Sequence, residues 1–118
     1  MGFGDAISTC FSKYVTFDGR AARPEYWYWV LFSLLAQLVL VIVDTLVLHS
    51  EIGILGVLFS LAVFLPSLAV AVRRLHDLDR SGWWILLAFI PVVGAIILIV
   101  WACMPGTPGP NRFGLPPQ

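Results

Sequence analysis

The run Arg73-Arg74-Leu75-His76-Asp77-Leu78-Asp79-Arg80-Ser81-Gly82-Trp83-Trp84 concentrates the chemistry of this chain. Adjacent guanidinium groups offer planar, paired donors that match phosphate or carboxylate oxygens, and a nearby acid can orient them. His76 is the side-chain type that titrates nearest neutrality, so it could sense pH. A second charged stretch, Phe17-Asp18-Gly19-Arg20-Ala21-Ala22-Arg23-Pro24-Glu25, adds two arginines and two acids that a fold could bring to the same place. Arg20, Arg23, Glu25, Arg73, Arg74, His76, Asp77 and Arg80 are therefore the candidates for binding an anionic lipid headgroup or a partner protein. The competing explanation is topological, because basic residues at the ends of spanning helices fix which face stays in the cytoplasm. Ser81, His76 and Asp77 are the right types for a nucleophile, its base and an orienting acid. A turn serine beside an anchoring tryptophan is more often a cap, and no catalytic residue is assigned. No glycine-rich phosphate loop is present, and no cofactor is implied.

The elements that must hold these charges are apolar. Hydrophobic residues make up 59% of the 118 positions, above the roughly 45–50% of soluble domains. Seven acidic and seven basic side chains cancel, so no global field would draw in nucleic acid. Three stretches reach the ~20 residues that a spanning helix needs: 27–48, 52–72 and 83–103. The expected fold is an all-α membrane protein with one integral domain over 1–118. It has three transmembrane helices, a short interfacial helix before them, and an irregular tail over 104–118. His49-Ser50-Glu51 is too short to do anything but reverse the chain, so the first two helices are antiparallel neighbours. Tyr26 to Trp29, Trp83, Trp84 and Trp101 fall at the borders, as interfacial aromatic residues do. Phe3, Ile7, Phe11 and Tyr14 recur at three-to-four-residue spacing, the pattern of a helix lying in the headgroup plane.

Lys13, Arg20 and Arg23 precede the first span, Arg73, Arg74 and Arg80 fill the second connection, and the first connection has no Lys or Arg. The N-terminus and the Arg73–Gly82 loop are then cytoplasmic. Three spans would leave the C-terminus outside, with Cys10 and Cys103 on opposite faces. The alternative is a third segment broken at Pro91 and Gly94, whose re-entrant turn would return the tail to the cytoplasm. Met1 to Ser12 carries no Lys or Arg, so the first span is expected to be an anchor and not a secretory leader. Ala6 stands where a myristoylation signal wants Ser or Thr.

Within the spans each polar group must find a partner. Ser33, Gln37 and Asp44 lie near one face of the first helix, where the plain expectation is helix–helix bonding and the sharper one an ion path through Asp44. Asp44, His49 and Glu51 form a poor metal-ligand set, and no metal is expected. Gly56, Ser60, Ser67 and Ala71 make a small-residue stripe suited to close packing, within the chain or between copies. Pro66 should free one backbone carbonyl, which a polar neighbour must satisfy. The expected partners are the bilayer, anionic lipid headgroups, a membrane protein or a second copy of the chain. The expected function is that of a non-catalytic scaffold or adaptor; a channel or transport subunit is the alternative, and a lipid-headgroup enzyme the third.

Several of these elements together resemble one family. They are Phe17-x-Gly19-Arg20-Ala21-x-Arg23-x-Glu25-Tyr26-Trp27, Leu68 to Asp77, Arg80-Ser81-Gly82-Trp83-Trp84, Ile90-Pro91-x-x-Gly94 and Asn111-Arg112-Phe113-Gly114. The chain from Tyr14 to Pro117 is similar to the small bacterial inner-membrane proteins grouped as "domain of unknown function 805". Pro24 and the closing Leu115-Pro116-Pro117 depart from that pattern. The resemblance implies a multi-pass plasma-membrane protein of unknown biochemical activity, and it assigns no catalytic residue.

Overall fold

A computed structural model describes residues 2–49 and 53–116. The described chain is all-α apart from one isolated bridge between Asn111 and Gly114. Helix α1 spans Phe3–Ser12, α2 Arg23–Leu46 and α3 Ile54–Asp77; a 3-10 helix over Gly82–Phe89 and helix α4 over Val93–Cys103 follow. Burial is inverted relative to a water-soluble domain. Leu34, Leu38, Ile42, Leu58, Leu61 and Phe64 are exposed, whereas Arg20, Glu25, Asp44, Arg73, Arg74, His76 and Asp77 are buried. A bilayer solvates the first set and cannot solvate the second, so charged groups go inside.

Helix α1 starts where the Asp5 carboxylate accepts the Gly2 N–H at 3.3 Å. Ala6 and Cys10, one turn apart, bury its inner face, and Phe11 meets Trp29 edge to face at 5.2 Å. Pro24 lies in the first turn of α2, where its missing N–H costs nothing. Glu25, Trp29 and Asp44 form the buried edge of that helix, and α2 and α3 pack along much of their length. Trp29 Nε1 donates to Ser67 Oγ at 2.9 Å, and Ser60 Oγ lies 3.4 Å from Gln37 Oε1. Asp44 caps the neighbouring helix: its carboxylate accepts the N–H groups of Leu55 and Gly56, each at 3.0 Å. Polar residues on the inner face of α2 thus bond α3, as the plain expectation had it. Ser33 Oγ is buried without a hydrogen-bond partner among the described residues.

Helices α2 and α3, 24 residues each, are long and apolar enough to cross a membrane. The third expected span is not one helix, which corrects the reading of 83–103. Pro91 supplies no N–H to continue a helix, Val92 has a left-handed φ of 64°, and the chain reverses there. A Cβ on Gly94 would lie 1.6 Å from the Leu87 carbonyl oxygen, so only glycine lets the two arms meet. Eight residues of 3-10 helix and eleven of α-helix are each about 16 Å long, roughly half of the ~30 Å hydrocarbon core. The tail, irregular over its described part, leads back onto the end of α3, with the Thr107 N–H on the Asp77 carbonyl at 2.7 Å. It therefore lies at the same end of the molecule as the arginine loop, where a single helix over 83–103 would have carried it to the other end. Cys103 accordingly lies at the arginine-rich end, its carbonyl 3.3 Å from Arg23 Nη1, and not at the end opposite the arginine loop.

Candidate functional site: a buried arginine network under the tail

The last turns of α3 present two faces. Pro66, Val70 and Arg73 line one that is buried against α1 and α2; there Arg73 Nη1 donates to Glu25 Oε1 and Nε to the Thr16 carbonyl at 3.2 Å. Arg74 and Asp77 share the other face and pair directly. Arg73 and Asp77, four residues apart, have the spacing of a helical ion pair, but the helix turns Arg73 towards Glu25 instead. Asp77 also receives Arg20 Nε at 2.9 Å, so one carboxylate joins two guanidinium groups from separate parts of the chain.

Tail carbonyls take most of the remaining donors. Arg20 Nη1 reaches Gly109 O at 2.7 Å and Gly114 O at 3.3 Å, and its Nη2 reaches Thr107 O at 2.6 Å. Arg74 bonds the carbonyls of Ala102, Ala21 and Met104. Oxygens without formal charge thus finish solvating a cluster of three cations and two carboxylates. Arg73 Nη2 and Arg80 Nε are buried without hydrogen-bond partners among the described residues. Gly106 is required where it stands, because a Cβ there would be 1.9 Å from the Asp77 carboxylate.

His76 Nδ1 lies 2.9 Å from the Gly19 carbonyl. That oxygen can only accept, so Nδ1 carries the proton. The ring stacks on Phe113 at 3.9 Å, and Asn111 Nδ2 donates to the His76 carbonyl at 2.9 Å. The tail motif Asn111-Arg112-Phe113-Gly114 docks on the Arg-Arg-Leu-His-Asp motif, with Arg112 Nε on Asp79 Oδ1 at 3.1 Å. That hydrogen bond holds the exposed Asp79 carboxyl below its usual pKa. Burial, reinforced by the charge of Glu25, pushes the Cys10 thiol up to about 12.

The candidate residues therefore separate. Arg20, Glu25, Arg73, Arg74, His76 and Asp77 are gathered in or beside the network; Arg23 is exposed at its edge. Arg80 stacks over Trp101 at 4.2 Å. Gln37 and Asp44 contact the first turns of α3, away from the network. Ser81 Oγ accepts the Trp83 N–H at 3.3 Å, and His76 Nδ1 is held by a carbonyl and not by Asp77, so the three form no aligned triad. Among the described residues no group of three His, Cys, Asp or Glu side chains could hold a metal; Glu51 lies outside them. Thr16 and the tail carbonyls were not among the candidates, and Asn111 and Phe113 stood only in the Asn-Arg-Phe-Gly element of the resemblance. The recurring Asn-Arg-Phe-Gly motif was the one signal that pointed to them.

Two membrane-length helices, an inverted distribution of burial and a charged network at one end define a small integral membrane protein. The chain belongs to the family described as "Protein of unknown function (DUF805)", which it matches over residues 14–115. It is 47% identical to "Inner membrane protein YhaI" of Escherichia coli K12, across 90% of this chain and 89% of that one. It is also 47% identical to "Inner membrane protein YhaH" of the same strain, across 90% of each. "Uncharacterized protein YiiR" of that strain is 37% identical over 77% of this chain and 60% of its own. No solved structure matches.

Proposed function

We propose that this protein is a non-catalytic inner-membrane scaffold whose arginine-rich cytoplasmic face binds an anionic lipid headgroup. The observation that carries this reading is a cavity of about 250 Å³ between the start of α2 and the tail, lined by Arg20, Arg23, Asp77 and Thr107. Arg23 stands exposed at its rim with one bond to the Cys103 carbonyl, and the saturated Arg20 adds positive charge without having to move. A phosphate there gains paired, charge-assisted bonds from Arg23, while the network holds the site in shape.

The distribution of basic residues supports a cytoplasmic location for this face. With the third segment folded back, the tail carrying Arg112 joins the segments carrying Lys13, Arg20, Arg23, Arg73, Arg74 and Arg80, so the charge asymmetry of the positive-inside rule becomes complete. The two short arms then form a re-entrant hairpin in the cytoplasmic leaflet, and α1, packed against α2 and α3, lies at the interface. Asp44, satisfied by two backbone donors, supports helix packing better than an ion path.

The test is native mass spectrometry of the purified protein with phosphatidylglycerol and, separately, phosphatidylcholine. Wild type should retain phosphatidylglycerol preferentially, and Arg23→Gln should cost about tenfold, as loss of one charged hydrogen bond does. Equal retention of both lipids, or an unaltered Arg23→Gln preference, would overturn the reading.

A further inference from the structure

A second cavity, of about 600 Å³, opens between α3 and the 3-10 arm on the other side of the tail. Its walls are Leu68, Val72, Ile85 and Leu86, and Trp83, 79% exposed, stands at its lip. Its size suits a small amphiphile. At this depth the surroundings of a membrane protein are acyl chains, which makes lipid the molecule at hand.

One end of the cavity is polar, and its chemistry selects among lipids. His76, Asp18 and Ser81 meet there beside Phe113. With Nδ1 directed at Gly19 O, Nε2 is the ring's free position and an acceptor in the neutral imidazole form. Asp18 adds a carboxylate, Ser81 a hydroxyl, and none of the lining side chains is Lys or Arg. A headgroup that donates hydrogen bonds is matched by two acceptors; an ionised carboxylate or phosphate would face a like charge.

We infer that this groove binds one single-chain lipid with a neutral, hydroxyl-bearing headgroup, of the monoacylglycerol class, with its acyl chain along Leu68, Val72, Ile85 and Leu86. This site is separate from the Arg23 cavity and does not depend on the headgroup reading made there. The aromatic stack of His76 on Phe113 keeps the ring edge in place, and Trp83 closes the chain off from the interface.

Monoolein and oleate carry the same chain and differ in headgroup, so competition between them reads the polar end alone. In detergent at mildly alkaline pH, where oleate is ionised, native mass spectrometry should show one monoolein per chain, preferred about tenfold over oleate through like-charge repulsion. Leu68→Trp fills the groove and should lower retention of both about tenfold or more. Asp18→Lys, at an exposed position, should reverse the preference towards oleate. Oleate held as firmly as monoolein by wild type, or undiminished retention in a folded Leu68→Trp protein, would overturn the inference. Should Leu68→Trp fail to fold, an unchanged preference in Asp18→Lys would overturn it on its own.

Discussion

The Tyr14 hydroxyl donates to the Ala62 carbonyl, the acceptor left without a helical donor because Pro66, four residues on, has no N–H. The segment after α1 thus satisfies a vacancy in the middle of α3. In lipid no water can replace that bond. Tyr14→Phe should cost about 1–3 kcal/mol, the range for an orphaned polar group. Pro66→Ala restores a donor to Ala62, so Tyr14→Phe should cost much less in that background. Unfolding by sodium dodecyl sulfate in mixed micelles, run as a double-mutant cycle, measures the coupling; additive losses would show that the two residues are independent.

Asp77 bridges Arg20 and Arg74, pairing with both through one carboxylate. Asp77→Asn leaves two buried cations with carbonyl partners only and should destabilise the fold by about 3–5 kcal/mol. Gly106→Ala drives a methyl group into the Asp77 carboxylate and should lift the tail while α2 and α3 remain. Limited proteolysis reads both: cleavage near Thr107–Gly109 should accelerate in each variant, but global unfolding should appear in Asp77→Asn first.

Topology can be read by labelling. In a background of Cys10→Ala and Cys103→Ser, single cysteines at Ser81 and Thr107 should react from the same side of the membrane, and one at His49 from the opposite side. Reaction of the Thr107 and His49 positions from one side would restore the three-span arrangement. With the native cysteines kept, exposed Cys103 should alkylate near neutral pH, whereas Cys10, buried with its pKa raised to about 12, should stay unmodified until the protein unfolds.

The Asp79–Arg112 contact has a defined pH dependence. The folded carboxyl titrates below its ordinary 3.8 because Arg112 bonds the ionised form. Its stabilisation is therefore complete above the unfolded value and lost as pH falls through the folded one. Both side chains are solvent-exposed, so the effect is local. Detachment of the end of the tail, followed by a fluorophore on a cysteine at Leu115, should occur in that acid window. Arg112→Gln should remove the dependence.

The sequence by itself determined the all-α class, the two membrane-length helices and the polar stripes that join them. Those features follow from composition, from helical periodicity and from the cost of placing unpaired polar groups in lipid. The need for a partner at the carbonyl freed by Pro66 was legible for the same reason, although Tyr14 as that partner was not. Hydropathy could not separate a third span from a hairpin, since both arms of Gly82–Cys103 are uniformly apolar. Only the approach of Gly94 to Leu87 decided that question, and with it the end of the helix pair on which the tail packs. The pairing of the charges was likewise tertiary. Spacing allowed Arg73 and Asp77 to meet, but α2 offers Glu25 to one face of α3, while Arg20 and the tail cover the other. Carbonyl oxygens leave no mark in a sequence, so the groups that complete the solvation of Arg20 and Arg74 became visible only once the chain was folded.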